Sequence, residues 1–301
     1  MSLFQKRESL IQNITYMGIM AAVNVIAVVL MNYVLPVLFL PFVLFMPLTS
    51  TVVTLLCKKK YFIIYAIATT GLCFLVSINN ISDTLFYVIP SIISGFAFGM
   101  MIEYKFPSII SIFIAGLLYT GISYAVIPLI AFIYDVNMIV VIATIFGLGE
   151  YQYLYHIVPA FILVLGLIQA TITYSLINLG LPKLGIQNEE NDSLYLYESV
   201  GLFGSLLSLL GYFFFEQFSM FFLIFALFFG VFEIINRGFN KEKIPLIIDG
   251  GCVIIFILLF ALLYQYMKEP LGLILTNILF DMFLIVGLVY NTFTKRAKSL
   301  E

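Results

Sequence analysis

The sequence predicts an all-α, polytopic membrane protein of about ten transmembrane helices. Composition is the first observation behind this: 63% of the 301 residues are hydrophobic, only 10% are charged, and the mean hydropathy is +1.13. A soluble fold of this length has no interior large enough for so much apolar surface, so lipid has to serve as part of the solvent. The second observation is segmentation. The apolar residues come in runs of about 20, the length at which a helix crosses a hydrocarbon core about 30 Å thick. The third is the placement of cations: with ten spans drawn through the chain, 13 of its 14 Lys and Arg residues fall on one side and only Lys268 falls on the other. Loops rich in Lys and Arg stay in the cytoplasm, which predicts a multi-pass protein of the cytoplasmic membrane with both termini inside.

In chain order the expected spans are 13–34, 37–57, 61–78, 85–103, 107–133, 156–180, 198–215, 218–236, 244–266 and 271–293. Lys6 and Arg7 precede the first, and no small-residue cleavage site follows, so this start reads as a retained helix rather than a signal peptide. The first two spans meet at an outside turn near Pro36. Pro41 and Pro47 each remove a backbone donor, which makes the second span irregular. Irregular backbone at that depth has to be buried in protein or line a cavity. Lys58, Lys59 and Lys60 hold the next connection inside, 78–84 forms an outer loop, and Lys105 marks the next inner turn. The apolar segment 138–149, about 12 residues, is short for a crossing and suits an interfacial helix on the outer side. A crossing there would invert every later loop and place Arg237, Lys241 and Lys243 outside. The acidic, amide-rich run 181–198 then breaks the pattern. It divides the chain into a six-helix bundle (1–180), a cytoplasmic polar linker, and a four-helix extension (199–301).

A net charge of −2 offers no basic patch for phosphates, so nucleic acid is not an expected partner, whereas the basic clusters beside spans fit contact with membrane lipid. Cys57, Cys73 and Cys252 form no metal-ligand spacing and read as small buried side chains. There is one histidine, and HExxH, GxSxG, Walker and GxGxxG motifs are missing, so no catalytic residues, metal or cofactor are expected and the chain is not read as an enzyme.

Polar residues in two outer loops are the candidate ligand contacts: Asn79 and Asp83 in 78–84, Glu150 and Tyr153 in 134–155, and His156 where the sixth span opens. Neither loop carries a Lys or Arg. Amides, carboxylates and tyrosines orient a small polar or aromatic ligand by hydrogen bonds and cover its ring. Any extracellular loop is also polar, and an interfacial His beside tyrosines fits an aromatic belt. Small residues at four-residue spacing, Gly18 and Ala22 on the first span and Ser91, Gly95 and Gly99 on the fourth, mark close helix contacts with this chain's own helices or with a partner. Within the last four spans, Asp249 lies six positions from Lys243 and fits the interface. Asp281 lies mid-span one turn after Asn277, and an intramembrane pair of this kind faces a bundle interior or a wet cavity.

On these features the first 180 residues resemble a substrate-binding S component of an energy-coupling-factor (ECF) transporter: Gly18–Ala22 on the first helix, the proline-broken second helix, and the loops 78–84 and 134–155. The family's Ala-x-x-x-Ala motif has Gly18 in place of its first Ala. The whole chain is similar to YybS-like membrane proteins through Leu40-Pro41-Phe42 and through His156-Ile157-Val158-Pro159, which opens a span running to a long linker at Leu184. The resemblance implies capture of a small-molecule solute such as a micronutrient, with a transmembrane coupling subunit and an ABC-type ATPase as partners. Two other readings stand beside it. One is a membrane scaffold or regulator using 181–198 and the Ser91/Gly95/Gly99 face, and the other is an ion-coupled carrier using Asp281.

Overall fold

The computed structural model describes residues 6–34, 39–135, 137–145, 154–184, 194–214 and 216–239, with 271, 274, 275, 277, 278 and 282. All regular structure among the described residues is helical: α1 (Leu10–Val29, continued by a π-helical turn Leu30–Val34), α2 (Phe39–Leu56), α3 (Phe62–Val76), α4 (Ile81–Asp83), α5 (Ile89–Glu103), α6 (Ser108–Tyr134), α7 (Met138–Ile145), α8 (Leu154–Leu184), α9 (Leu194–Phe214) and α10 (Glu216–Phe239). Among the described residues five helical stretches are long and apolar enough to cross a membrane: Leu10–Tyr33, Lys59–Val76, Thr84–Glu103, Ser108–Tyr134 and Val158–Gly180. Phe42–Leu56, Ser199–Phe214 and Phe218–Gly230 are shorter apolar stretches. The expected ninth span lies outside the described residues, and so does most of the tenth.

Burial argues for lipid independently of hydropathy. Asn13, Asn24, Thr49, Ser50, Thr51, Thr69, Ser91, Ser123, Gln169 and Thr173 are buried, whereas Ile63, Ile64, Ile67, Leu75 and Phe132 are exposed. Water would select the reverse arrangement. A hydrocarbon solvent accepts exposed Ile and Phe and drives hydroxyls and amides inward to find partners.

The chain divides into two compact units, one of residues 1–149 and 161–191 and the other of residues 150–160 and 192–301. In the first, α2 packs on α5, α5 on α6, and α1 on both α2 and α3. Small residues set these distances. A Cβ on Gly95 would come within 2.9 Å of Ser50 Cβ and closer still to the Pro47 carbonyl oxygen, and one on Gly99 would meet Thr54 Cβ at 2.7 Å. Gly116 and Gly166 seat α6 against α8 in the same way, because a Cβ on Gly166 would reach the Gly116 carbonyl oxygen at 2.8 Å. In the second unit, α9 and α10 form a pair across Gly204 and Gly211, closed by Ser208 and Ser219, whose hydroxyls each donate to the other's carbonyl at 2.8 and 3.2 Å.

Several sequence expectations are corrected. α2 is one helix rather than a broken span: Pro41 falls in its first turn, where a proline removes no intrahelical bond, and Pro47 is accommodated in its interior. The fourth span starts earlier than residue 85, since α4, a π-helical stretch over Thr84–Val88 and α5 follow one another without a break. The outer loop therefore shrinks to the turn after Ser77, where Asn80 N donates to Ser77 O at 2.7 Å. The Ser77 and Thr84 hydroxyls bond each other across that turn. Of the expected interfacial segment 138–149, the described residues form α7, eight residues and about 12 Å of helix, and 146–149 lie outside the described residues.

Candidate functional site

One end of the first unit gathers its cations. α1 opens with a capping box in which Ser9 accepts from Gln12 N, and this fixes the approach of Arg7. Arg7 N donates to Leu56 O at 2.8 Å, satisfying a carbonyl at the end of α2. Asn13 completes the knot: its Nδ2 donates to Ser9 O and Arg7 O, and its Oδ1 accepts from Lys58 N at 2.7 Å. Glu103, ending α5, pairs with Lys59 at 2.9 Å and Lys6 at 3.4 Å. Lys58, Lys60 and Lys105 stay exposed at this same end. Beside them Cys57 is buried, and burial pushes its thiol up to about 11 against the opposing pull of Arg7.

Deeper in, a polar cluster joins α1, α2 and α3. Asn24 Nδ2 donates to Tyr65 Oη at 3.1 Å, Tyr65 Oη donates to Thr49 Oγ1 at 3.3 Å, and Thr49 Oγ1 donates to Asn24 Oδ1 at 3.0 Å. The ring leaves neither end of the Asn24 amide unpaired, as a low-dielectric interior requires. The Ser50 and Thr69 hydroxyls border Tyr65 without forming hydrogen bonds of good geometry.

A second polar cluster repairs two of the prolines, Pro47 and Pro90. Pro47 supplies no N–H to the carbonyl four residues back, and that carbonyl, Val43 O, accepts from Gln169 Nε2 on α8 at 2.8 Å. Pro90 likewise supplies none to Phe86 O, which accepts from Ser123 Oγ on α6 at 3.3 Å. Side chains from neighbouring helices thus replace the missing donors, which is how proline survives inside membrane helices. The Tyr119 hydroxyl, also buried, faces Ser123 and Gln169. None of these polar side chains belongs to a motif in the sequence. Gln169 had a readable signal, a lone amide within an apolar run, but its function depends on a proline 122 positions away.

Two spaces adjoin these helices. One, of about 10 Å³, is enclosed by α2, α5, α6 and α8 and is far below the 300–1,000 Å³ typical of ligand pockets. The other, of about 410 Å³, is an open groove between α3 and α5 lined by Ala66, Ile67, Gly71, Phe74, Ile92 and Ile93, with Thr70 its one polar side chain. Its size suits a ligand, but it offers no converging polar groups.

The expected ligand residues separate as follows. Asn79 is exposed in the turn between α3 and α4, and Asp83 lies on α4. His156 lies in the first turn of α8, while Glu150 and Tyr153 lie outside the described residues. Gly18 and Ala22 face outward, and a Cβ on Gly18 meets nothing within 4 Å. Gly95 and Gly99 are pressed against α2 and Ser91 is buried, so of the two expected kinds of neighbour it is this chain's own helix that the two glycines meet. In the second unit, buried Asn277 donates to Ser205 Oγ at 2.7 Å, a helix-to-helix bond, and Asp281 and Asp249 lie outside the described residues. Among the described residues no three His, Cys, Asp or Glu side chains gather as metal ligands. Comparison with family models, curated proteins and solved structures yields no match for this chain.

Proposed function

We propose that this membrane protein captures a small-molecule solute from outside and works with a transmembrane coupling subunit and an ABC-type ATPase, as an S component of an ECF-type transporter does. In this reading the cationic end faces the cytoplasm, following the preference of Lys and Arg for that side. The candidate solute contacts are the polar residues expected from the sequence, Asn79 and Asp83 of the first unit and Glu150, Tyr153 and His156 of the second, in segments this orientation places outside. The chain has no nucleotide-binding motif, so the energy comes from the partner. The observation that carries the reading is the outer face of α1: Gly18 and Ala22 lie open to an approaching helix, whereas Gly95, Gly99, Gly116 and Gly166 are consumed by packing within the chain.

Affinity purification of the intact chain from membranes tests this directly. The expected result is recovery of an ABC-type ATPase with a membrane subunit, lost in Gly18→Leu while the chain's own stability is kept. Recovery of signalling or division proteins instead would move the reading to a scaffold. A thermal-shift screen against vitamins and nucleobases tests capture, and a stabilising ligand whose effect disappears in Asp83→Ala and Glu150→Ala is expected. Single cysteines at Lys183 and Lys268 test orientation, with labelling of the first from the cytoplasm only and of the second from outside only.

A further inference from the structure

We propose that a single ordered water occupies the enclosed space between α2, α5, α6 and α8, accepting a hydrogen bond from Thr173 Oγ1 and donating one to Gln169 Oε1. Both side chains are 1% exposed, both line this space, and neither of these atoms has a partner within the protein. Its volume, about 10 Å³, matches the roughly 10–15 Å³ that one water requires and excludes any larger solute.

The behaviour of Thr173 is the sharpest sign. A helical hydroxyl with no other partner can bond the carbonyl four residues back. On the same helix Thr171 does so to Leu167 O at 2.8 Å, and Ser175 does so to Thr171 O at 2.9 Å. Thr173, between them, does not. Thr173 lines a space that Gln169 also lines. Ser94 adds a third polar group to the wall, held only by a long 3.3 Å bond to Ser91 O. An unpaired amide oxygen and hydroxyl at this depth each carry a desolvation penalty, and a bridging water removes both. The water completes a path from Thr173 through Gln169 to Val43, so the orientation of the Gln169 amide, and with it the repair of α2 at Pro47, is fixed from both ends.

A structure of the intact protein at a resolution that shows ordered solvent decides the matter. The expected result is one density peak within hydrogen-bond reach of Gln169 and Thr173 in the wild type. That peak should be lost in Thr173→Val, which removes a polar partner, and in Ala170→Val, which fills the space. Rapid hydroxyl-radical labelling provides a second readout: Phe98, 1% exposed but on the wall, should be labelled in the wild type and should lose that label in both variants. An empty space in the wild type, with Thr173 turned to its own helix or Gln169 Oε1 bonded to Tyr119, overturns the proposal. So does wild-type density unchanged in both variants.

Discussion

Two stripes of small residues with the same spacing meet opposite fates in this protein. On α5, Gly95 and Gly99 are pressed so closely against α2 that an added Cβ would clash with its backbone and side chains, and Ser91 is buried one turn earlier. On α1, Gly18 and Ala22 look outward with open space before them. The difference follows from where each helix sits. Two thirds of the apolar window of the α5 span is buried, against one third of that of α1. Equal spacing permits a close approach without saying which helix makes it, so small-xxx-small patterns are an invitation and not a contact.

Gly95→Leu should give the largest effect. With the Pro47 carbonyl and Ser50 in the way, α2 has to move, and a loss of about 3 kcal/mol or more is expected in detergent-based unfolding. Gly18→Leu should remain within about 0.5 kcal/mol of wild type. Equal losses in the two variants would break the comparison.

Cys57 sharpens it, because it lies immediately after α2. Its thiol, pushed up to about 11 by burial, should hold roughly 100-fold less thiolate near pH 7 than an ordinary cysteine. In a Cys73→Ser, Cys252→Ser background, maleimide labelling should therefore be slow and should quicken as pH rises toward 11. Gly95→Leu should accelerate it by loosening α2, and Gly18→Leu should not.

Gln169→Leu asks whether α2 holds its place without its borrowed donor. Leaving Val43 O unpaired should cost about 1–3 kcal/mol, measured by the same unfolding assay. On the α1 side, a double-mutant cycle of Asn24→Ala and Tyr65→Phe should return a coupling of about 0.6 kcal/mol, since interhelical hydrogen bonds in membranes are individually modest. Glu103→Gln should have a small effect, about 0.2–1 kcal/mol and weaker at high salt, because its ion pairs are partly exposed.

Much of this architecture was legible beforehand. Hydropathy located α1, α3, α6 and α8 to within a few residues, because the thickness of the bilayer imposes a length on any helix that crosses it. It erred at α2, where two prolines suggested an interruption, and at the fourth span, where Asn79, Asn80 and Asp83 suggested a longer loop. In both places a remote side chain or a wider helical turn lets the helix continue. The grouping of Lys6, Lys59 and Lys105 at one end was readable from charge, whereas the knot that Asn13 ties there was not. The candidate ligand residues were legible only as polar positions in loops, because sequence gives no means of saying whether Asn79 and Glu150 meet.

By itself, then, the sequence determined the solvent, the helical class and the end at which cations collect, since each depends on summed composition along a run of residues. Only the tertiary structure decided which small residues are consumed by packing, and that Gln169 and Ser123 serve as stand-ins for donors that Pro47 and Pro90 lack. Those decisions depend on single atoms brought within about 3 Å across more than 30 positions of chain, and no local pattern encodes that distance.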